Sequence, residues 1–157
     1  VARGAFHPAF QPIVDLASRA VVAYEALTRF DSGVRPDLAF QEAWSVGLGA
    51  ELELATLAAA IAAAAILPAG TWLNLNLSPR LLDQPERLQA VLWQADRAIV
   101  IEVTEHEAVG DYGLVREGIR AVFSRDARGV GRPAGPPHTR LASRAGGGCR
   151  DGGGDVA

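Results

Sequence analysis

The chain alternates between short apolar runs and segments whose apolar residues recur at helical spacing. "FQPIVDLASRAVVAYEAL", from Phe10 to Leu27, sets two apolar runs on either side of the turn-forming "DLASRA". This pattern predicts a hairpin or closely paired strands. "RPDLAFQEAWSVG" follows, with a helix start at Asp37 and a Gly stop at Gly47, and a second helix is predicted over about 50–66, closed by Pro68 and Gly70. "TWLNLNLSP" has the every-second-residue alternation of a strand, ended by Ser78 and Pro79. "PERLQAVLWQ" predicts a short helix with Pro85 in its first turn, "AIVIEV" the next strand, and "DYGLVREGIRAVF" the next helix. Strands alternating with helices at intervals of about 25 residues indicate βα units around a mainly parallel sheet, so the fold class is α/β.

The pattern ends near Phe123. From Ser124 the text is "SRDARGVGRPAGPPHTRLASRAGGGCRDGGGDVA", which holds nine of the seventeen Gly and six of the fifteen basic residues. Its large aliphatics are Val130, Leu141 and Val156. So little apolar surface does not offset the entropy of ordering a chain, and the expectation is a folded unit over 1–123 followed by a disordered tail over 124–157. Every basic residue is Arg and there is no Met. The first fact suggests a GC-rich gene; the second marks Val1 as something other than an initiator, so the chain is expected to be a piece of a longer protein. An abrupt passage from a patterned helix to Arg/Gly/Ala/Pro text is what a GC-rich gene yields out of frame, and a change of reading frame after about Phe123 is the expectation.

Composition narrows the function classes. At 49% hydrophobic and 21% charged residues the chain has enough apolar material for one domain with a core. A net charge of −3 gives no general drive toward nucleic acid or anionic membrane. The single Cys149 excludes an internal disulfide. No basic stretch followed by an apolar run marks a signal peptide at the N-terminus. The Ala-rich run at 54–67 is shorter than the roughly twenty residues that a membrane span needs, and it reads as a helix packed closely on a sheet.

Polar residues fall at the ends of the predicted strands: Glu25 in "VVAYEAL", Asn76 in "WLNLNLS" and Glu102 in "AIVIEV". In a parallel α/β sheet the carboxyl ends of the strands share one side of the molecule, where active sites lie. Two carboxylates and an amide carbonyl are hard oxygen donors suited to Mg²⁺ or Mn²⁺. Each residue also has a plainer reading, a solvated or salt-bridged Glu at a strand end and an Asn capping the turn that follows. His7, His106 and His138 lack metal-ligand spacing and read as surface residues.

Four blocks, "FQPIVD" at 10–15, "YEALTRF" at 24–30, "LNLNLSP" at 73–79 and "IEVTEHE" at 101–107, resemble the first four signature blocks of the EAL family of cyclic-di-GMP phosphodiesterases, in the family's order. The resemblance covers about residues 8–123. It implies about the first half of a TIM-like (β/α) barrel whose strand ends hold two divalent metals, Mg²⁺ or Mn²⁺, and bind cyclic-di-GMP, which hydrolysis opens to linear pGpG. By motif position Glu25, Asn76 and Glu102 match metal ligands, Glu25 and Glu102 being the catalytic carboxylates. Arg29 matches a residue contacting the substrate phosphate, Gln11 and Leu27 match positions lining the substrate pocket, and Glu105 matches a supporting acidic position. The resemblance also implies a cytoplasmic protein in bacterial signalling, with a sensory or cyclase domain upstream and no membrane span in this stretch.

The family's later blocks supply an adjacent Asp pair and a strand bearing Lys; this sequence has neither. Three outcomes stay open: a phosphodiesterase domain inactive in this form, a module that binds cyclic-di-GMP without cleaving it, or a remnant without function. About half a barrel leaves an open sheet edge, so self-association is expected, and a monodisperse monomer would contradict it.

Overall fold

A computed structural model describes residues 5–103, 117–120 and 122, together with the backbone of Arg140–Ser143. Strands β1 (Phe6–Val14) and β2 (Val21–Phe30) form the expected hairpin, antiparallel, with Phe6 opposite Phe30 and Gln11 opposite Glu25. Asp15 organises the turn: its Oδ1 accepts from the Ser18 backbone N–H and the Ser18 hydroxyl, each at 2.7 Å. The backbone N–H of Ser18 holds the Asp15 carboxyl below the ordinary Asp value of 3.8, helped by the Ser18 hydroxyl. A depressed folded-state pKa means that this contribution is present above that ordinary value and is lost as pH falls through the folded value. Acid titration followed by NMR should therefore show Asp15 protonating below pH 3.8, and an apparent pKa at or above it would contradict the turn geometry.

Arg19 closes the turn at φ 59°, a left-handed conformation in which Cβ crowds the following carbonyl at about 1–2 kcal/mol. Arg19→Gly is expected to raise stability by about 1 kcal/mol, read as a higher urea midpoint. An unchanged or lower midpoint would show that the Arg19 side chain compensates the strain.

Beyond the hairpin come α1 (Pro36–Ser45), α2 (Gly49–Ala63), β3 (Trp72–Leu77), α3 (Pro85–Leu92) and β4 (Ile99–Val103). Helix α1 begins one residue before Asp37, because the fixed φ of Pro36 suits a first helical position. Asp37 instead sits in the first turn, where the Arg35 side chain donates to its carboxylate at 3.1 and 2.6 Å. Helix α2 meets α1 closely, and a Cβ at Gly49 would collide with the Trp44 indole. The stretch Gly49–Ile66 is long and apolar enough to cross a membrane by length and composition, yet 56% of it is buried within the fold.

The strands form one sheet in the order β1–β2–β3–β4–β5, where β5 is Arg140–Ser143. All neighbours from β2 onward are parallel. The disordered expectation for 124–157 therefore does not hold at these four residues. Val100 to Val103 lie level with Arg140 to Ser143, and backbone pairing along the free edge of β4 needs no apolar pattern in the added strand. The remainder of the tail, and the first part of the helix expected over "DYGLVREGIRAVF", lie outside the described residues; 117–120 and 122 are helical.

Alternation in β3 separates two faces. Leu73, Leu75 and Leu77, at most 2% exposed, join Ile99, Ile101 and Val103 of β4 in a core with Leu54, Leu57 and Ile61 of α2 and Leu88 and Leu92 of α3. Truncating any of these leucines to Ala costs about 2–5 kcal/mol. The period of two leaves Asn74 and Asn76 on the opposite face, away from the helices. Arg97, just before β4, closes the α2–β3 connection: its guanidinium donates to Leu67 O and Thr71 Oγ1, both at 3.3 Å.

Candidate functional site

The face opposite the core carries the polar residues. Register places Glu25 of β2 level with Asn74, and Asn76 level with Glu102 of β4, so these four side chains share one face across three strands. The hydrogen bonds run diagonally. Asn76 Nδ2 donates back to Glu25 Oε1 at 2.9 Å, and Asn74 Nδ2 donates forward to Glu102 Oε1 at 2.7 Å. Diagonal neighbours in a sheet lie within reach of long side chains, and here each Asn of one central strand holds the Glu of a flanking strand.

Glu25, Asn76 and Glu102 are half-buried, while Asn74 is only 6% exposed. The Oδ1 of Asn74 is buried and has no hydrogen-bond partner among the described residues, and neither has Ser78 Oγ. Each carboxylate thus receives a neutral amide donor, while amide oxygens lie on the same face. Two carboxylates and two amides, one of them with its carbonyl oxygen buried and without a partner among the described residues, are the donor chemistry of a hard divalent cation such as Mg²⁺ or Mn²⁺. Among the described residues no three of His, Cys, Asp and Glu gather closely enough to hold an ion alone, so amide oxygens are needed to fill such a site.

The remaining sequence-derived positions lie along the same stripe. Gln11 is opposite Glu25 and exposed. Leu27 and Arg29 follow Glu25 at intervals of two, so they share its face. Leu27 is half-buried, and Arg29 is exposed with its Nη1 on the carbonyl of Thr28 at 3.1 Å. Glu105 and His106 lie outside the described residues. His7 is on the surface, paired with Asp31 at 2.9 Å.

Two contributors were not singled out from the sequence. Asn74 had its signal in the doubled Asn of "LNLNLS", where the second Asn matched a motif and the first did not. Glu53 lies in the first turns of α2, beside Glu51, and is only 7% exposed. Its Oε1 accepts from Trp44 Nε1 at 2.7 Å and its Oε2 from the backbone N–H of Ser78 at 3.3 Å. The guanidinium of Arg80 lies 5.4 Å from the Trp44 ring centre. Glu53 therefore ties α1 and α2 to the end of β3, two residues beyond Asn76.

A model of the EAL domain matches residues 1–126. The chain belongs to the EAL family. Among solved structures it is similar to Klebsiella pneumoniae BlrP1 in a manganese/cyclic-di-GMP complex, with 29% identity and a TM-score of 0.62 over 78% of this chain and 33% of that one. The same protein in a calcium/cyclic-di-GMP complex gives 30% identity and a TM-score of 0.62 over 75% and 32%. Bacillus subtilis YkuI, described with an EAL domain in complex with cyclic-di-GMP and calcium, is 22% identical with a TM-score of 0.55 over 75% and 32%, a likeness of fold. The chain thus spans about a third of the BlrP1 and YkuI chains. No curated protein matches it. The EAL motif itself is Glu25–Ala26–Leu27, and its Glu is the one held by Asn76.

Proposed function

We propose that this chain carries the N-terminal half of a cyclic-di-GMP phosphodiesterase site and does not hydrolyse the nucleotide in this form. The observation that carries the reading is the pair of diagonal amide–carboxylate bonds, Asn76 to Glu25 and Asn74 to Glu102, on the face away from the core. BlrP1, at up to 30% identity, is described with manganese or calcium together with cyclic-di-GMP, which supports a divalent cation and this substrate. The three parallel strands β2, β3 and β4 supply the first part of a (β/α) barrel, and the family match ends at residue 126, close to where the helical pattern stops.

Glu25, Asn76 and Glu102 would hold the cation. Bound divalent ions neutralise phosphodiester oxygens and lower the pKa of a water from 15.7 toward about 7. Arg29, exposed at the rim of the stripe, is free to turn its fork from the Thr28 carbonyl to a phosphate and give charge-assisted hydrogen bonds. Gln11 and Leu27 flank Glu25 and shape the floor on which the nucleotide would rest. A second cation needs further carboxylates, and the sequence has no adjacent Asp pair and no Lys.

Turnover of cyclic-di-GMP in Mg²⁺ or Mn²⁺ and calorimetric titration in Ca²⁺ test this together. The expected result is no pGpG above the rate without protein. Measurable turnover would overturn the inactivity, and tight nucleotide binding without turnover would identify a sensing module instead.

A further inference from the structure

We propose that Asn74 is a positioning residue of the cation site, holding one oxygen of Glu102 so that the other is presented to the ion. The inference rests on the cation reading of Glu25, Asn76 and Glu102, and it adds a residue that the family motif does not assign.

Position and burial carry the argument. Asn74 lies in the middle of β3 at 6% exposure, level with Val100 of β4, itself 9% exposed. An apolar neighbour at the same level shows that this part of the face accommodates an apolar side chain. Asn there leaves its Oδ1 buried and without a partner among the described residues, and an orphaned buried polar atom is destabilising because its lost hydration is not replaced. Packing alone therefore favours Leu or Val over Asn at this site. What Asn provides instead is the Nδ2–H bond of 2.7 Å to Glu102 Oε1.

The chemistry of that bond suits a ligand better than an ion pair would. An amide donor fixes the carboxylate rotamer without neutralising it, whereas Arg or Lys at position 74 would compete with the cation for the same charge. Asn76 gives Glu25 the same kind of support, but its own oxygen is assigned to the ion. Asn74 is the counterpart whose role is orientation, and partners of this kind change metal affinity by about 10–100-fold when removed.

The test is Mn²⁺ affinity by electron paramagnetic resonance on the full chain, with thermal unfolding in cation-free buffer as the second readout. Asn74→Leu should bind Mn²⁺ about 10–100-fold more weakly than wild type, with an unfolding midpoint at or above the wild-type one. A residue of structural importance alone would lower the midpoint and leave affinity in place. Asn74→Ser, which keeps a hydroxyl donor, should bind Mn²⁺ more tightly than Asn74→Ala, and this pair decides the matter if the Leu variant does not fold. Equal affinities in wild type and the variants overturn the role of Asn74. Failure of wild type itself to bind Mn²⁺ overturns the cation reading beneath it, a different result.

Discussion

Replacing Glu53 with Ala is expected to lower the unfolding free energy by about 2–4 kcal/mol, because two donors lose their acceptor at once. Trp44 Nε1 and the Ser78 backbone N–H both point at this carboxylate, and the surrounding helix and strand ends hold water away from it. Glu53→Gln keeps a single acceptor oxygen, so it should fall between wild type and the Ala variant. Urea unfolding checks the order, with the slope of the transition showing that the unfolded state is comparable. An Ala variant within about 0.5 kcal/mol of wild type, the ordinary range for surface changes, would mean that the carboxylate is not the tie between the helices and β3. The effect extends to the site, since Ser78 is two residues from Asn76 on the same strand end.

The second large effect concerns charge. Glu25→Gln and Glu102→Gln each keep an oxygen for the Asn that holds the side chain, so the face is preserved while a negative charge is removed. Cation-free stability should hold or rise slightly, because two like charges across β3 become one. Mn²⁺ affinity should drop by a hundredfold or more, beyond the roughly 10–100-fold typical of supporting groups. Loss of the Mn²⁺-induced rise in the thermal midpoint reads this directly, by mass action on the folded state. A midpoint that still rises with Mn²⁺ in both variants would place the ion elsewhere.

Much of the architecture was legible because it is written in local pattern. The alternation of "LNLNL" dictates one buried and one polar face, and the apolar run "IVIEV" places Ile99, Ile101 and Val103 with the leucines. The hairpin followed from two runs around "DLASRA", whose Asp15 and Ser18 form the turn they suggested. What was not legible depends on which strand lies beside which. The partner of Glu102 is Asn74, a diagonal neighbour on the adjacent strand two residues from its level mate Asn76, and nothing near position 102 in the chain points to it. Nothing local to Glu53 marks it as buried, since only the approach of Trp44 and Ser78 from elsewhere in the chain covers it. Strand β5 gave no signal because edge pairing uses backbone groups that every sequence has.

The direction of β1 has a topological result. Because β1 runs against the other strands, its first residue, Phe6, lies beside Phe30 at the carboxyl end of β2, the end toward which the parallel strands run. The described part of the chain therefore begins at the strand-end side of the sheet, with His7 level with Arg29, and the Asp15–Ala20 turn is at the far end. A side chain changed at Phe6 or His7 is thus changed beside the carboxyl end of β2, whereas one changed at Asp15 or Ser18 is not.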